Sequence, residues 1–505
     1  MQHMARRPNI LLIFTDQQRA DTISALGNPA IRTPNLDRLA SEGTAFTSAF
    51  TPSAECVPSR CGLAFGQYPT RLDCVKNGDP MPWGKIDSYL SALGRAGYRT
   101  HGIGKCHFDR PGSQYDLRDF QSREYQEEIA DSPDRDDYLR FLRAHGFGHL
   151  TDPHGVRGEM YYVPQVAQMP ASLHPTQWVG DRACAFISEQ KGSKTPWHLF
   201  ASFIHPHPPF APPAPWHKLY RDLDVPPPHL PCGCQRLLLP INHIQNRYKR
   251  RDRGYDFHLV RVIRAYYYAC VSFVDFQIGR ILKALDDTGQ MDNTLIIFTS
   301  DHGELLGDFF SFGKRSYHDP VVKVPLLCRL PGVFPAGRRC ATPVSLVDVT
   351  ATMLGAAGAA LRDHSPDGED LRGTAGAADR DRTVFSQWNR AGSAVYLAVT
   401  RNWKYVYSAA DHRELLFDRL CDHGETRDLA DATRDMRRPE ARAQDALRRK
   451  LVSFLASCGA KDAVEGDGFR TYPAWQPHPN PDSGLLYQDH PWADTRIPGY
   501  TSDTD

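Results

Sequence analysis

Long apolar runs are missing from this 505-residue chain. Stretches such as Ile10–Phe14 end after about five residues, far short of the roughly 20 that a membrane helix needs. No membrane partner is therefore expected. The N-terminus, Met1-Gln2-His3-Met4-Ala5-Arg6-Arg7-Pro8, is basic but leads into no apolar segment followed by small residues. That absence of a secretory signal predicts a cytoplasmic protein. A charge excess is also missing: 60 Lys and Arg face 59 Asp and Glu, a net of +1. Without a basic surplus to displace counterions, nucleic acid is not an expected partner. Cysteine is sparse, with 12 in the chain, which excludes a disulfide scaffold. The Cys232-x-Cys234 pair has the wrong spacing for a zinc knuckle, so these read as ordinary thiols. What the chain does have is a 41% hydrophobic fraction, enough for a large core and too much for disorder.

Strands and helices alternate over the first 350 residues or so, which predicts an α/β fold with a mostly parallel sheet. Asn9–Thr15, Arg99–Ile103, His198–Ile204 and Thr294–Thr299 read as buried strands. Ala45–Phe50 reads as one short strand. Residues 33–43 read as a helix, with Thr33 as N-cap, Pro34 at N1 and Gly43 as the stop. Residues 87–96, 259–285, 344–354 and 438–457 read as further helices, and 363–382 as a surface connection. Val395–Val399 and Trp403–Tyr407 read as antiparallel strands. The division expected is a catalytic domain over 1–385, a small α+β subdomain over 386–458 and an extended tail over 459–505. The tail carries Trp475, Tyr487, Trp492 and Tyr500, and could wrap the body or join copies into a homo-oligomer.

In open α/β sheets, ligands bind beyond the carboxyl ends of the strands. Two predicted strands end in metal-ligand chemistry, Asp16-Gln17 and Asp301-His302. A lone Asp after a strand is ordinarily a helix cap, so the pairing in tandem is what suggests a cation site. Between them stands Cys56-Val57-Pro58-Ser59-Arg60-Cys61-Gly62-Leu63-Ala64-Phe65-Gly66. A helix starting at Pro58 or Ser59 would aim its N–H groups at an anion, and Arg60 would add a charge-assisted bond.

That stretch resembles the sulfatase signature Cys-x-Pro-Ser-Arg-x-x-Leu-x-x-Gly. Gly97–Phe108, with Gly104-Lys105 and His107, resembles the second signature of the same family. Pro206-His207-x-Pro209, Thr299–Glu304, Gly313-Lys314, Pro343–Asp348 and Glu414–Asp418 resemble further landmarks in family order, so the likeness runs over roughly 8–430. It implies an alkaline-phosphatase-like fold: a mixed, mostly parallel central sheet flanked by helices, with a small C-terminal antiparallel sheet plus helix. It also implies oxidation of Cys56 to formylglycine by a formylglycine-generating enzyme. The hydrated aldehyde would then attack the sulfur of a small-molecule sulfate ester. By the same likeness Asp16, Gln17, Asp301 and His302 would bind one divalent metal together with residue 56, and Arg60 would hold the nucleophile. Lys105 and Lys314 would bind the sulfate, His207 would protonate the leaving group, and His107 would act as base. The Pro-His-x-Pro register selects His207 over His205, while His101 and His318 read as structural.

The chain also departs from the commonest family pattern. Asp16-Gln17 and Asp301-His302 stand where many members have Asp-Asp and Asp-Asn; this departure is similar to the related phosphonate monoester hydrolases and to some bacterial sulfatases. The softer donor set keeps Ca2+ as the expected ion and makes Mn2+ the alternative. Asn77, 21 residues past the nucleophile, matches a substrate-binding Asn of those hydrolases, or is the turn residue of Lys76-Asn77-Gly78. The expectation is a sulfatase, with a phosphonate monoester hydrolase as alternative, and Lys105 with His107 as the pair that favours sulfate. A non-catalytic binding protein would show an eroded nucleophile or metal set, and neither is eroded. The alcohol stays open among phenols, anionic sugars and choline.

Overall fold

The computed structural model describes residues 7–108, 115–129, 133–157, 161–249, 255–430 and 435–474. The strands of the main sheet are β1 (Asn9–Thr15), β2 (Thr44–Phe46), β4 (Arg99–Gly104), β5 (Ser122–Tyr125), β6 (Trp197–Phe203), β7 (Thr294–Ser300), β8 (Leu326–Arg329) and β9 (Arg338–Cys340). A separate short pair is formed by β3 (Ala49–Phe50) and β10 (Val344–Ser345). The expected single strand over Ala45–Phe50 is thus two strands in two sheets. The helices are α1 (Pro34–Glu42), α2 (Cys56–Phe65), α3 (Tyr89–Arg95), α4 (Asp137–Ala144), α5 (Pro175–Glu189), α6 (Pro240–Lys249), α7 (Phe257–Asp287), α8 (Asp319–Val322), α9 (Leu346–Ala357), α10 (Leu371–Gly376) and α11 (Pro439–Ser457).

The sheet order is β5-β4-β6-β1-β7-β8-β2-β9, and only β8 runs against the rest. β1 is central, with Ile13 opposite Ala201 on β6 and Phe298 on β7. Its residues alternate between two cores. Ile10, Leu12 and Phe14 pack with residues of α2, α3 and α9, while Leu11 and Ile13 pack with α1, α5 and α7. Burial on both faces is why Asn9–Thr15 reads as one apolar run rather than an alternating one.

The N-terminus of α1 is satisfied differently from the sequence expectation. Thr33 makes no cap bond; its hydroxyl accepts from Ser24 N–H (2.8 Å) and donates to Asp37. The free N–H groups of α1 are met instead by Asp275 of α7, which accepts from Leu36 N (2.8 Å) and Asn35 N (3.2 Å). A carboxylate at a helix N-terminus is favoured by the dipole as well as by the bonds. Residues 363–382 also differ from a plain surface connection: α10 lies within them, and Leu371 and Ala375 join the core beneath α9.

At the C-terminal end, β11 (Val384–Trp388), β12 (Val395–Val399), β13 (Trp403–Ser408) and β14 (Arg413–Asp418) form an antiparallel sheet. Position 385, where the division was expected, lies inside β11. One face of this sheet packs on Phe50, Tyr317, Val321 and Val322 of the larger unit, and α11 covers the other. Buried Lys404 of β13 donates to Tyr317 O (2.8 Å) and Asp319 Oδ1 (2.7 Å), tying the two units together. The start of the tail forms a hairpin of β15 (Val464–Glu465) and β16 (Gly468–Phe469), whose Phe469 stacks on Tyr407 at 3.8 Å. The tail from 475 onward, with its four aromatics, lies outside the described residues.

Gly279 of α7 lies directly against the Asn35 side chain of α1. A Cβ there would lie 2.4 Å from Asn35 Oδ1, and Asn35 Nδ2 is bound to Asp275 Oδ2 (2.9 Å). Gly→Ala inside a helix ordinarily stabilises by about 1 kcal/mol. Gly279→Ala is expected to do the opposite, lowering the melting temperature because Asn35 must leave Asp275; a rise would show that the contact yields freely.

Candidate active site

The carboxyl ends of the parallel strands converge. β1 delivers Asp16 and Gln17, β7 delivers Asp301 and His302, β4 delivers Lys105 and His107, and β6 leads to His205 and His207. Gly104 permits the turn out of β4, with φ of +85° and a carbonyl, Ser202 O, only 2.1 Å from where a Cβ would stand. Gln17 (φ 66°) and His107 (φ 48°) are non-glycine residues in the left-handed region, which is costly and concentrates at functional sites. Across from these ends, α2 begins at Cys56 itself, two residues earlier than expected, so the thiol sits on the first turn of the helix.

Arg60, one turn further along α2, is fully buried and spans the strand ends. Its Nε donates to Asp301 Oδ2 (2.9 Å) and its Nη2 to Asp16 Oδ2 (3.0 Å). Nη1 donates to the carbonyls of Lys105 (3.0 Å) and Cys106 (3.3 Å). The guanidinium lies 4.9 Å from the Phe14 ring centre. A planar fork with five donors can meet this many acceptors, and a lysine cannot.

Each carboxylate gives one oxygen to Arg60 and keeps the other for the pocket. Ligand atoms of Asp16, Cys56, Asp301 and His302 lie within 4.8 Å of one another, all buried. His302 Nδ1–H donates to Gly303 O (3.0 Å), which leaves the Nε2 lone pair facing Cys56 Sγ at 3.2 Å. Gln17 adds a buried Oε1 with no hydrogen-bond partner, because its Nε2 is taken by Glu304. Two carboxylates, an imidazole and an orphaned amide oxygen fit a divalent cation.

The cations around this cluster are equally buried. Lys314 Nζ donates to Cys56 Sγ (2.6 Å). Lys105 Nζ lies between Asp16 Oδ2 (2.7 Å) and Glu128 Oε2 (2.5 Å). Burial alone would raise the Asp16 pKa, but Lys105, His207, Arg60 and Lys314 hold it well below the usual carboxylate range. Burial would lower Lys105, yet Asp16 and Glu128 hold it above the ordinary lysine value. Burial, joined by the Lys105 charge, pushes His107 well below its ordinary value; burial does the same to His207 against the pull of Glu128 and Asp16. Both imidazoles are therefore neutral near pH 7 in the free site. Burial and the Asp16 charge push the Cys56 thiol up to about 12. A thiol so placed holds almost no thiolate at neutral pH.

The structure brings together Asp16, Gln17, Cys56, Arg60, Lys105, Asp301, His302 and Lys314. His207 approaches this group through Glu128, with Nδ1 3.2 Å from Glu128 Oε1. Asn77 stands at its edge: Oδ1 accepts from Val57 N–H (2.9 Å), and Asn77 N donates to Glu55 Oε2 (2.9 Å). Its side chain thus binds the first turn of α2. His101 stacks on Phe186 at 4.8 Å, and His318 lies 4.0 Å from both Phe309 and Tyr317. Sequence reasoning missed Glu128, whose only signal is an acidic pair just beyond a short strand. It also gave no role to Glu304, which accepts from Gln17, Tyr162 OH and the N–H groups of Leu306 and Gly313.

Arg60→Met should unmask the cost of the two carboxylates. Removing one partner from a buried ionic network destabilises by about 3–5 kcal/mol. A carboxylate whose folded pKa is depressed stabilises above its unfolded value, about 3.9, and loses that stability as pH falls through the folded value. The wild-type advantage in melting temperature, measured on metal-free protein, should be full at neutral pH and shrink below about pH 4. A gap independent of pH would contradict the Asp16–Arg60 coupling.

Known proteins resemble this chain in sequence and in fold. A family model described as Sulfatase matches residues 8–359. An arylsulfatase of Clostridium perfringens (strain 13 / Type A) is 28% identical over 475 residues, covering 89% of this chain and 94% of that one. A choline-sulfatase of Rhizobium meliloti (strain 1021) is 30% identical over 458 residues, covering 85% of this chain and 83% of that one. Among solved structures, the phosphonate monoester hydrolase of Agrobacterium radiobacter matches with a TM-score of 0.77 at 26% identity, covering 92% of this chain and 100% of that one. The large, mostly parallel sheet with its small antiparallel companion is the alkaline-phosphatase-like architecture expected from the motifs. The catalytic motifs, the buried site and the match over residues 8–359 lead to one conclusion: this chain belongs to the sulfatase family.

Proposed function

We propose that the protein hydrolyses sulfate monoesters of small phenols or alcohols, using formylglycine at position 56 and one divalent cation. Asp16, Asp301, His302 and the orphaned Gln17 Oε1 would hold the cation beside residue 56. Calcium suits the oxygen donors, and manganese is the alternative that the imidazole admits. The cation would supply positive charge to the sulfate oxygens and to the oxygen of residue 56. Formylglycine, installed by a formylglycine-generating enzyme, would supply a geminal diol: one hydroxyl to attack sulfur, the other to allow release of sulfate. In the metal-free site burial and Asp16 hold the Cys56 thiol up at about 12, and a bound cation would lower it, so the case for the diol rests on its second hydroxyl, which would give the sulfated intermediate a route to release.

The observation that carries the sulfate reading is Lys105, an ammonium buried between Asp16 and Glu128, followed two residues on by His107. Lys105 and Lys314 place preorganised charge where the equatorial oxygens of the transferred group gain it. His207 has Nδ1–H engaged by Pro208 O (2.7 Å) and Nε2 without a partner, which leaves Nε2 to carry a proton to the departing oxygen. Burial keeps it neutral in the free site, and a bound sulfate anion adds the opposite charge that favours the imidazolium. His107 is neutral with Nδ1 unpartnered, suited to accept the proton of the second hydroxyl.

A phosphonate monoester hydrolase is the second reading, favoured by the Asp301-His302 pair and by Asn77 beside the helix start. A panel of aryl sulfate, sugar sulfate, choline sulfate and phenyl phosphonate, run on wild type and Lys105→Ala, separates the two. At least one sulfate ester is expected to be the faster substrate. Lys105→Ala should lower its turnover by about 10²–10³-fold, the scale of one lost oxyanion donor. Phosphonate hydrolysis far above every sulfate, with Lys105→Ala leaving that rate unchanged, would reverse the order of the two readings.

A further inference from the structure

Glu128 lies three residues past β5, outside every motif that carries the family likeness, and is buried with 7% of its surface exposed. Its two oxygens serve different partners. Oε2 accepts from Lys105 Nζ (2.5 Å). Oε1 lies 3.2 Å from His207 Nδ1 and accepts from Arg157 Nη2. Arg157 in turn stands 5.4 Å over the Tyr161 ring, and that ring meets the His207 ring edge-on at 6.2 Å. The imidazole's Nδ1–H donates to Pro208 O (2.7 Å), the Glu128 carboxylate stands beside the same nitrogen, and Tyr161 flanks the ring; Asp16, Lys105 and Lys314 supply the remaining charge around it.

Balancing the Lys105 charge does not by itself explain this carboxylate, because Asp16 already meets that ammonium at 2.7 Å. What Glu128 adds is one carboxylate that faces both the Lys105 ammonium and the His207 imidazole. In the sulfatase reading these two act at opposite ends of the bond to be broken, one on the transferred oxygens and one on the departing oxygen. We propose that Glu128 is a positioning residue of the reaction, whose single carboxylate sets the Lys105 ammonium and the His207 imidazole in register across the scissile bond; this rests on the function proposed above. Glu128 would thus act on the imidazole through its charge and its contact beside Nδ1, whose proton goes to Pro208 O, where the carboxylate of a hydrolytic triad accepts that proton itself.

A misaligned proton donor harms a reaction in proportion to how much the leaving oxygen needs the proton. Glu128→Gln keeps the shape and removes the charge and one acceptor. On 4-nitrophenyl sulfate, whose phenolate departs readily, the expected loss in kcat is less than about tenfold; on phenyl or alkyl sulfates it is about 10²-fold, with KM changed little. In a His207→Ala background the part of the loss that depends on the leaving group should vanish, since the two residues act as a unit. A loss of the same factor for every leaving group, a leaving-group dependence that persists without His207, or no loss at all would overturn the proposal. Should Glu128→Gln fail to fold, Glu128→Asp keeps the charge but withdraws it by one methylene, and is read by the same criteria. If the wild type acts on aryl phosphonates and on no sulfate, the sulfatase reading fails. The same leaving-group series in phosphonates then decides the role of Glu128 by itself.

Discussion

One buried guanidinium holds the site in place. Arg60 touches the ends of β1, β7 and β4 together, through Asp16, Asp301 and the carbonyls of Lys105 and Cys106. Because it sits one turn along α2, it also fixes where residue 56 lies relative to those strands. The two carboxylates lend Arg60 their Oδ2 atoms and turn the others toward the pocket: Asp301 Oδ1 accepts from Gln17 N and His302 N, and Asp16 Oδ1 lies 3.9 Å from Cys56 Sγ. The donor cluster is therefore a consequence of how Arg60 is satisfied. Desolvating so many charges is expensive unless each is paired and hydrogen-bonded, and here carboxylates and cations interleave.

That interleaving also explains the chemistry available. Lys105, Lys314 and Arg60 keep Asp16 ionised, Asp16 and Glu128 keep Lys105 charged, and burial keeps the imidazoles neutral. An anionic substrate enters a pocket whose cations are already oriented, so little reorganisation is needed as charge develops. The same surroundings suppress the thiolate of an unmodified Cys56. Sulfate and phosphonate esters both bring a single negative charge to such a pocket, and the placement of Lys105 with His107 is what weighs toward sulfate.

Much of this was legible from the residues. The apolar run Asn9–Thr15 followed by Asp16-Gln17 marked a buried strand ending in polar groups, and Cys56–Gly66 marked the helix that carries Cys56 and Arg60. The local signals failed where tertiary contacts override them. Thr33 has the right type and position for a cap, yet Asp275, some 240 residues away, satisfies α1. Ala45–Phe50 breaks at Thr47-Ser48, with no Gly, Pro, Asn or Asp to show that it divides between two sheets. Residues 363–382 are polar on average, and only the few side chains beneath α9 reveal α10. Glu128 was invisible because its partners, Lys105, Arg157 and His207, come from three distant segments and no spacing announces them.

Turnover in this buried cluster would depend on the proposed formylglycine at residue 56. Peptide mass spectrometry of active enzyme, read against turnover per molecule across preparations, tests it most directly. The peptide bearing residue 56 should carry the aldehyde or its hydrate, and turnover should rise in proportion to the converted fraction. Full activity in protein whose residue 56 is entirely cysteine would contradict it.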